Sequence, residues 1–168
     1  MRIRPAEPAD AAAIAEIWRL GWLDAHLGNV PDALAEARIE AGFTDRAERR
    51  ARGDDDAART LVAEVAGAVA GFVMVVGDEV EQVYVAAEHR GRGVAGPLLA
   101  AAEDAVRAED HRQAWLAVVA GNTPARRFYE RQGWTDTGPF DHHAPGGFVV
   151  PAHRYVRDLT QPARQDAG

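Results

Sequence analysis

The chain has 168 residues, a formal net charge of −7, no lysine and no cysteine. That length suits one domain with a substantial core. The missing thiols exclude disulfides, a thiolate nucleophile and Cys-ligated zinc, and the acidic balance argues against broad nucleic-acid binding, which needs clustered positive charge. No apolar run approaches the ~20 residues that span a bilayer, and no signal-peptide core opens the chain, so no membrane association and a cytoplasmic location are expected.

Residues 2–4 read as an opening strand. Pro8 suits the first position of a helix, with Asp10 in the first turn near its positive end. Ile14, Ile17, Trp18 and Trp22 recur at helical spacing and should face the core. Gly28, Asn29 and Pro31 punctuate the helix end. A second helix is expected over 32–40, and a highly charged turn or third helix over 44–52. Asp54, Asp55 and Asp56 then read as a solvated loop.

Residues 61–65 and 69–76 read as strands joined by a tight turn at Ala66, Gly67 and Ala68. A turn at Gly77-Asp78 leads into a strand over 79–85. In a helix over 94–108, Val94, Leu98, Leu99, Ala102 and Val106 share one face, and Pro97 is tolerated in the first turn. A buried strand over 115–119 and a helix over 123–132, stopped by Gly133, follow. The last strands are expected over 134–137 and 148–156, around a loop carrying His142, His143, Pro145, Gly146 and Gly147. Residues 160–168 read as a frayed tail beyond a single domain over 1–159.

The most informative stretch is Arg90-Gly91-Arg92-Gly93-Val94-Ala95-Gly96. Glycines there let the chain bend tightly and aim several N–H groups at one point, and the following helix adds its positive end. Such a cradle is made for phosphate. Read literally, Gly91 to Gly96 is a G-x-G-x-x-G dinucleotide fingerprint. That fingerprint needs its first glycine directly after the strand and a carboxylate about 20 residues on. Here 86–90 intervene, and the next strand runs into Ala120-Gly121-Asn122 with no carboxylate, so a nicotinamide cofactor is disfavoured.

Read as R-x-x-G-x-A, the same residues resemble the acetyl-CoA pyrophosphate loop of the GNAT superfamily of N-acetyltransferases. A second stretch, Asn122-Thr123-Pro124-Ala125-Arg126-Arg127-Phe128-Tyr129-Glu130-Arg131-Gln132-Gly133-Trp134, is similar to that family's N-x-x-A-x-x-F-Y-E-x-x-G-F/W signature. Glu79 to Val85 is similar to the family's fourth strand. The resemblance implies an α/β fold with a mixed, mostly antiparallel sheet of about six to seven strands. Helices flank this sheet, and its fourth and fifth strands splay apart.

The resemblance also implies roles. The N–H groups of Gly91, Arg92, Gly93, Val94, Ala95 and Gly96 would hold the pyrophosphate of acetyl-CoA, the cosubstrate, with a charged contact from Arg90 or Arg92. Main chain at Val83 and Val85 would pair with the pantetheine arm like an added strand, and the Val85 N–H would face the thioester oxygen. Asn122 would bond the same arm or, alternatively, cap the following helix. Tyr129 would protonate the departing thiolate, the alternative being aromatic packing beside Phe128. Glu79 and Glu81, alternate residues on one strand, can serve as base to the incoming amine directly or through water, or are simply exposed strand carboxylates.

Asp141, His142, His143 and His153 match no zinc spacing, so no metal is expected. His142 and His143 more plausibly line the acceptor mouth or a plain surface loop, and Trp22 and His26 border the same pocket. With no cysteine to carry an acyl group, transfer would be direct, within a ternary complex. A small amine or amino acid is favoured as acceptor over a protein N-terminus or lysine, the acidic balance pointing mildly to cationic acceptors. A non-catalytic acyl-CoA-binding module is the alternative. Dimers are common in the family, so a homodimer is a further expectation.

Overall fold

The computed structural model describes residues 1–54, 58–144 and 147–160, with the side chains of 39–41 and 144 left out. The expectations for Asp55, Asp56, Pro145, Gly146 and residues 161–168 of the tail lie outside the described residues.

The elements in order are β1 (Arg2–Pro5), a 3₁₀ turn (Pro8–Asp10), α1 (Ala11–His26), α2 (Asp32–Ala41), α3 (Thr44–Arg52), β2 (Ala58–Val65), β3 (Ala68–Val76), β4 (Glu79–Val85), a second 3₁₀ turn (Ala87–His89), α4 (Ala95–Ala108), β5 (Gln113–Val119), α5 (Thr123–Arg131), β6 (Thr135–Ala144) and β7 (Phe148–Asp158). The strands form one seven-stranded sheet in the order β1-β2-β3-β4-β5-β7-β6. Every neighbouring pair is antiparallel except β4 and β5. This is the mixed α/β sheet that the sequence led us to expect.

Alternation along the central strands sorts the core into two layers. Val62, Phe72, Met74 and Tyr84 pack with Ile14, Trp18 and Trp22 of α1 and with Phe43, Ala47 and Ala51 around α3. Ala63, Val73 and Val75 point the other way, onto Leu98, Leu99, Ala102 and Val106 of α4, with Phe128 and Tyr129 of α5 against the same cluster. The helices therefore cover both faces, and the sheet edge between β4 and β5 is left to be explained.

The two parallel strands are paired at a single position, Glu79 opposite Trp115, beside a Trp115 N–H bond to the Asp78 carbonyl. Beyond it they part. Register between β3 and β4 also shifts: Met74 lies opposite Gln82 and Val75 opposite Val80, so Glu81 is the extra residue of a β-bulge. Bulges bend a strand and re-aim its side chains, and this one sits where β4 leaves β5.

One sequence expectation is corrected. His142 and His143 are not on a loop: β6 continues to Ala144, with His142 opposite Val150 and His143 opposite Val149. The expected strand ends at Thr137, just before Gly138 and Pro139. Instead the register shifts between Asp136 and Pro139, and Asp136 Oδ1 accepts the Gly138 N–H at 2.8 Å. A proline is tolerated there because β6 is the edge strand and the bulge absorbs it.

Candidate functional site

Where β4 and β5 separate lies a cavity of about 400 Å³. Its walls come from β4 (Glu79 to Tyr84), β5 (Leu116 to Val119), the α1–α2 side (Trp22, His26, Arg38), Arg46 of α3, Asn122 and Tyr129 of the α5 segment, and His142 and His143 of β6. The parted strands thus bring Glu79, Glu81, Val83, Asn122 and Tyr129 around one space, together with Trp22 and His26.

At the far end of β4, the turn into α4 has Gly91 and Gly93 at φ +70° and +76°. Those are left-handed values that side chains with a Cβ resist, and a Cβ at either position would meet no protein atom. Among the described residues no backbone carbonyl accepts the N–H of Gly91, Arg92, Gly93, Val94, Ala95 or Gly96. A run of unpaired N–H groups at the start of a 14-residue helix suits an anion. Pro97 sits third in α4 and takes no N–H from that run. Arg90 is engaged elsewhere, its Nη1 on Asp24 at 2.8 Å and its Nε on the Val85 carbonyl at 3.1 Å. Arg92 has no such partner among the described residues and is the freer cation at the loop.

On the opposite wall, Asn122 Oδ1 accepts the Ala125 N–H at 3.2 Å, so it caps α5 while lining the cavity. Tyr129 packs against Phe128, Trp134 and Tyr155 at centroid distances of 5.2, 6.1 and 6.1 Å. Burial pushes its hydroxyl well above the ordinary tyrosine range, so it stays protonated. Among the described residues that hydroxyl has no hydrogen-bond partner.

The two strand carboxylates differ. Glu81 accepts from Arg50 Nη2 at 2.7 Å and faces Arg46 Nη2 at 3.5 Å. Glu79 has no ion pair among the described residues, and desolvation, then the charges of Glu81 and Asp78, raise its pKa above the usual glutamate value. His26 stacks on Trp22 at 4.5 Å and its Nδ1 lies 2.9 Å from the Trp22 carbonyl. Desolvation holds both His26 and His142 below the ordinary histidine pKa, so both are neutral near pH 7. His153 belongs elsewhere, with its Nδ1 2.8 Å from Asp136 Oδ2 and Arg126 on the same carboxylate. Among the described residues no three His, Asp or Glu side chains converge as metal ligands do.

Sequence reading missed Arg38, Arg46, Gln82 and Tyr84. Tyr84 follows the alternation of β4 but reads there as core. The arginines sit in a charge-rich stretch whose pattern says surface, and only the packing of α2 on α1 and of α3 on α1 and β2 brings them to the cavity.

Comparison with known proteins gives the class. The model of the acetyltransferase (GNAT) family matches residues 14–134. The streptothricin acetyltransferase of Streptomyces lavendulae is 36% identical over 98 residues, which are 54% of this chain and 52% of that protein. The chain thus spans about half the length of this curated relative. Among solved structures, nourseothricin acetyltransferase is 33% identical, with a TM-score of 0.55 over 62% of this chain and 68% of that one. The yncA protein of Salmonella typhimurium, solved with its cofactor acetyl-CoA, shares the fold over 99% of this chain and 98% of its own, with a TM-score of 0.73 and 24% identity. The chain belongs to the GNAT acetyltransferase family.

Proposed function

We propose that the protein transfers the acetyl group of acetyl-CoA to the primary amine of a small molecule by direct attack in a ternary complex. One observation carries the reading: β4, which leads on to the unpaired N–H run at Gly91 to Gly96, is paired with β5 at one position only, beside a cavity lined by both an unpaired Glu79 and a protonated Tyr129.

The Gly91–Gly96 loop fits a pyrophosphate, since its glycines leave room for close approach and its N–H groups have no other acceptor. Past Glu79, the β5-facing edge of β4 lacks a partner strand, so main chain at Val83 and the Val85 N–H are free to bond an amide-bearing arm, while the Val85 carbonyl accepts from Arg90. The relative solved with acetyl-CoA has this fold, which supports the choice of donor.

The donor supplies an activated thioester. Glu79, its carboxylate raised in pKa, takes the proton of the incoming ammonium directly or through water. The Val85 N–H stabilises negative charge developing on the thioester oxygen. Tyr129 gives its proton to the departing sulfur. Glu81, held between Arg46 and Arg50, orders the α3 wall. The chain has no cysteine to carry the acetyl group between half-reactions.

The test is release of free CoA thiol from acetyl-CoA in the presence of a broad panel of primary amines, with the acetylated product identified by mass. Amine-dependent thiol release supports the reading. Saturable acetyl-CoA binding with no turnover on any amine would replace it with a binding module.

A further inference from the structure

The acidic balance of the whole chain is not kept inside the cavity, which Arg38 and Arg46 line beside Glu79 and Glu81. Arg38 of α2 lines it, and among the described residues its guanidinium has no ion pair or hydrogen bond. Its charge is felt by His26, His142 and Arg46, whose pKa values it lowers, while Glu81 and Tyr84 act back on it. Those groups, from α1, α3, β4 and β6, all line the same cavity as Arg38.

Among the described residues the one carboxylate whose charge acts on Arg38, Glu81, is already engaged by two other arginines at 2.7 and 3.5 Å. Even so, Arg46 keeps one terminal nitrogen, Nη1, buried and without an acceptor. Its guanidinium carbon rests 4.7 Å from the Trp18 ring centre, which fixes the fork in place. His26 and His142 are neutral, so neither offsets the excess. A desolvated guanidinium without an anion is costly, and such a group is a ready partner for a planar carboxylate, which it binds through paired N–H bonds.

We infer that the acceptor is an amine carrying its own carboxylate, an amino-acid-like zwitterion, with Arg38 gripping the acid while Glu79 faces the amine. The inference rests on the acetyl-transfer reading above and narrows it from amines in general. Both acceptor groups then have a partner lining one cavity: an unpaired cation on α2 and an unpaired carboxylate on β4. Arg38 acts as a specificity-determining residue. His26 and His142, held neutral beside it, do not compete with the ligand's ammonium for Glu79.

The test compares L-α-amino acids with the matching amines that lack the carboxyl group, as acceptors for the wild type and for Arg38→Gln. The acids should win in kcat/KM by about 10-fold or more, roughly the worth of one charged bidentate pair, and Arg38→Gln should collapse that ratio mainly through KM. Arg38→Lys, which keeps the charge and loses the fork, should restore only part of it. Binding is read independently of turnover by titrating the wild type with N-acetyl amino acids and with the corresponding N-alkyl acetamides, the acids being the tighter. Equal turnover of both series, or an acid preference that survives in Arg38→Gln, overturns the inference while leaving acetyl transfer standing. Tight binding of N-acetyl acids with no turnover of any amine supports the anion site and removes the acetyl-transfer reading instead.

Discussion

Glu81 and Arg50 are locked together, with Nη2 donating to Oε2 at 2.7 Å and both side chains mostly buried. A carboxylate engaged by two guanidinium groups is committed to the α3 wall, which leaves Glu79, two residues earlier and unpaired, as the base. Glu79→Gln should lower kcat by about 100-fold or more. The wild-type rate should fall as pH drops through a Glu79 pKa raised above the ordinary glutamate value. Above that pKa the base form is populated; below it the base is lost, and this acid limb should vanish in Glu79→Gln. The same variant should not be less stable at pH 8, because a carboxyl whose pKa is raised on folding loses stability as pH rises past its unfolded value. Glu81→Gln should show the opposite split: a retained acid limb and a stability loss of about 1–3 kcal/mol from unpairing two partly buried guanidinium groups. Rate–pH profiles and denaturant titrations of the two variants check both halves.

Tyr129→Phe keeps the ring contacts with Phe128, Trp134 and Tyr155 and removes only the hydroxyl. We expect kcat to fall by about 100-fold or more, with acetyl-CoA affinity and melting temperature near wild type. Unchanged kcat would end the acid role.

Trp134 packs in the core and donates its Nε1–H to Glu103 Oε1 at 2.9 Å, a carboxylate only 6% exposed that also meets Arg157 Nε at 3.4 Å. Arg157 Nη1 in turn bonds the Gly133 carbonyl at 2.9 Å, tying down the C-terminal end of α5. Trp134→Phe should cost about 1–3 kcal/mol by leaving that acceptor short of a donor. A double-mutant cycle with Glu103→Gln should show coupling between the two positions.

Gly21 of α1 packs so closely on the Tyr84 ring that an added Cβ would collide with it. Tyr84 lines the cavity, so Gly21→Ala should push it into the acceptor space. The expected result is a raised acceptor KM with acetyl-CoA affinity largely kept, read from steady-state kinetics with each substrate varied.

Much of this site is local chemistry and was legible before any fold was known. Glycines at 91 and 93, a helix start behind them and Asn122 three residues ahead of Ala125 are short-range signals, and α3 and β4 end where their sequences say. What could not be read depends on tertiary packing. The bulge at Glu81 is a register property of two strands, and it decides which carboxylate meets Arg50. Arg38 and Arg46 look like solvated charges until α2 and α3 fold over the cavity. Trp134 reads as an exchangeable aromatic until its indole finds Glu103. The length of β6 is hidden by Gly138 and Pro139, residues that usually close a strand and here sit in a bulge on an edge.

The central claim is that the Gly91–Gly96 turn and the β4–β5 gap form one binding site for acetyl-CoA, and calorimetric titration tests it most directly. Acetyl-CoA should bind saturably with no heat from NADH, and Gly93→Val, which forces a β-branched residue into a left-handed turn, should weaken binding by about 100-fold or more. NADH binding in place of acetyl-CoA, or wild-type acetyl-CoA affinity in Gly93→Val, would contradict it.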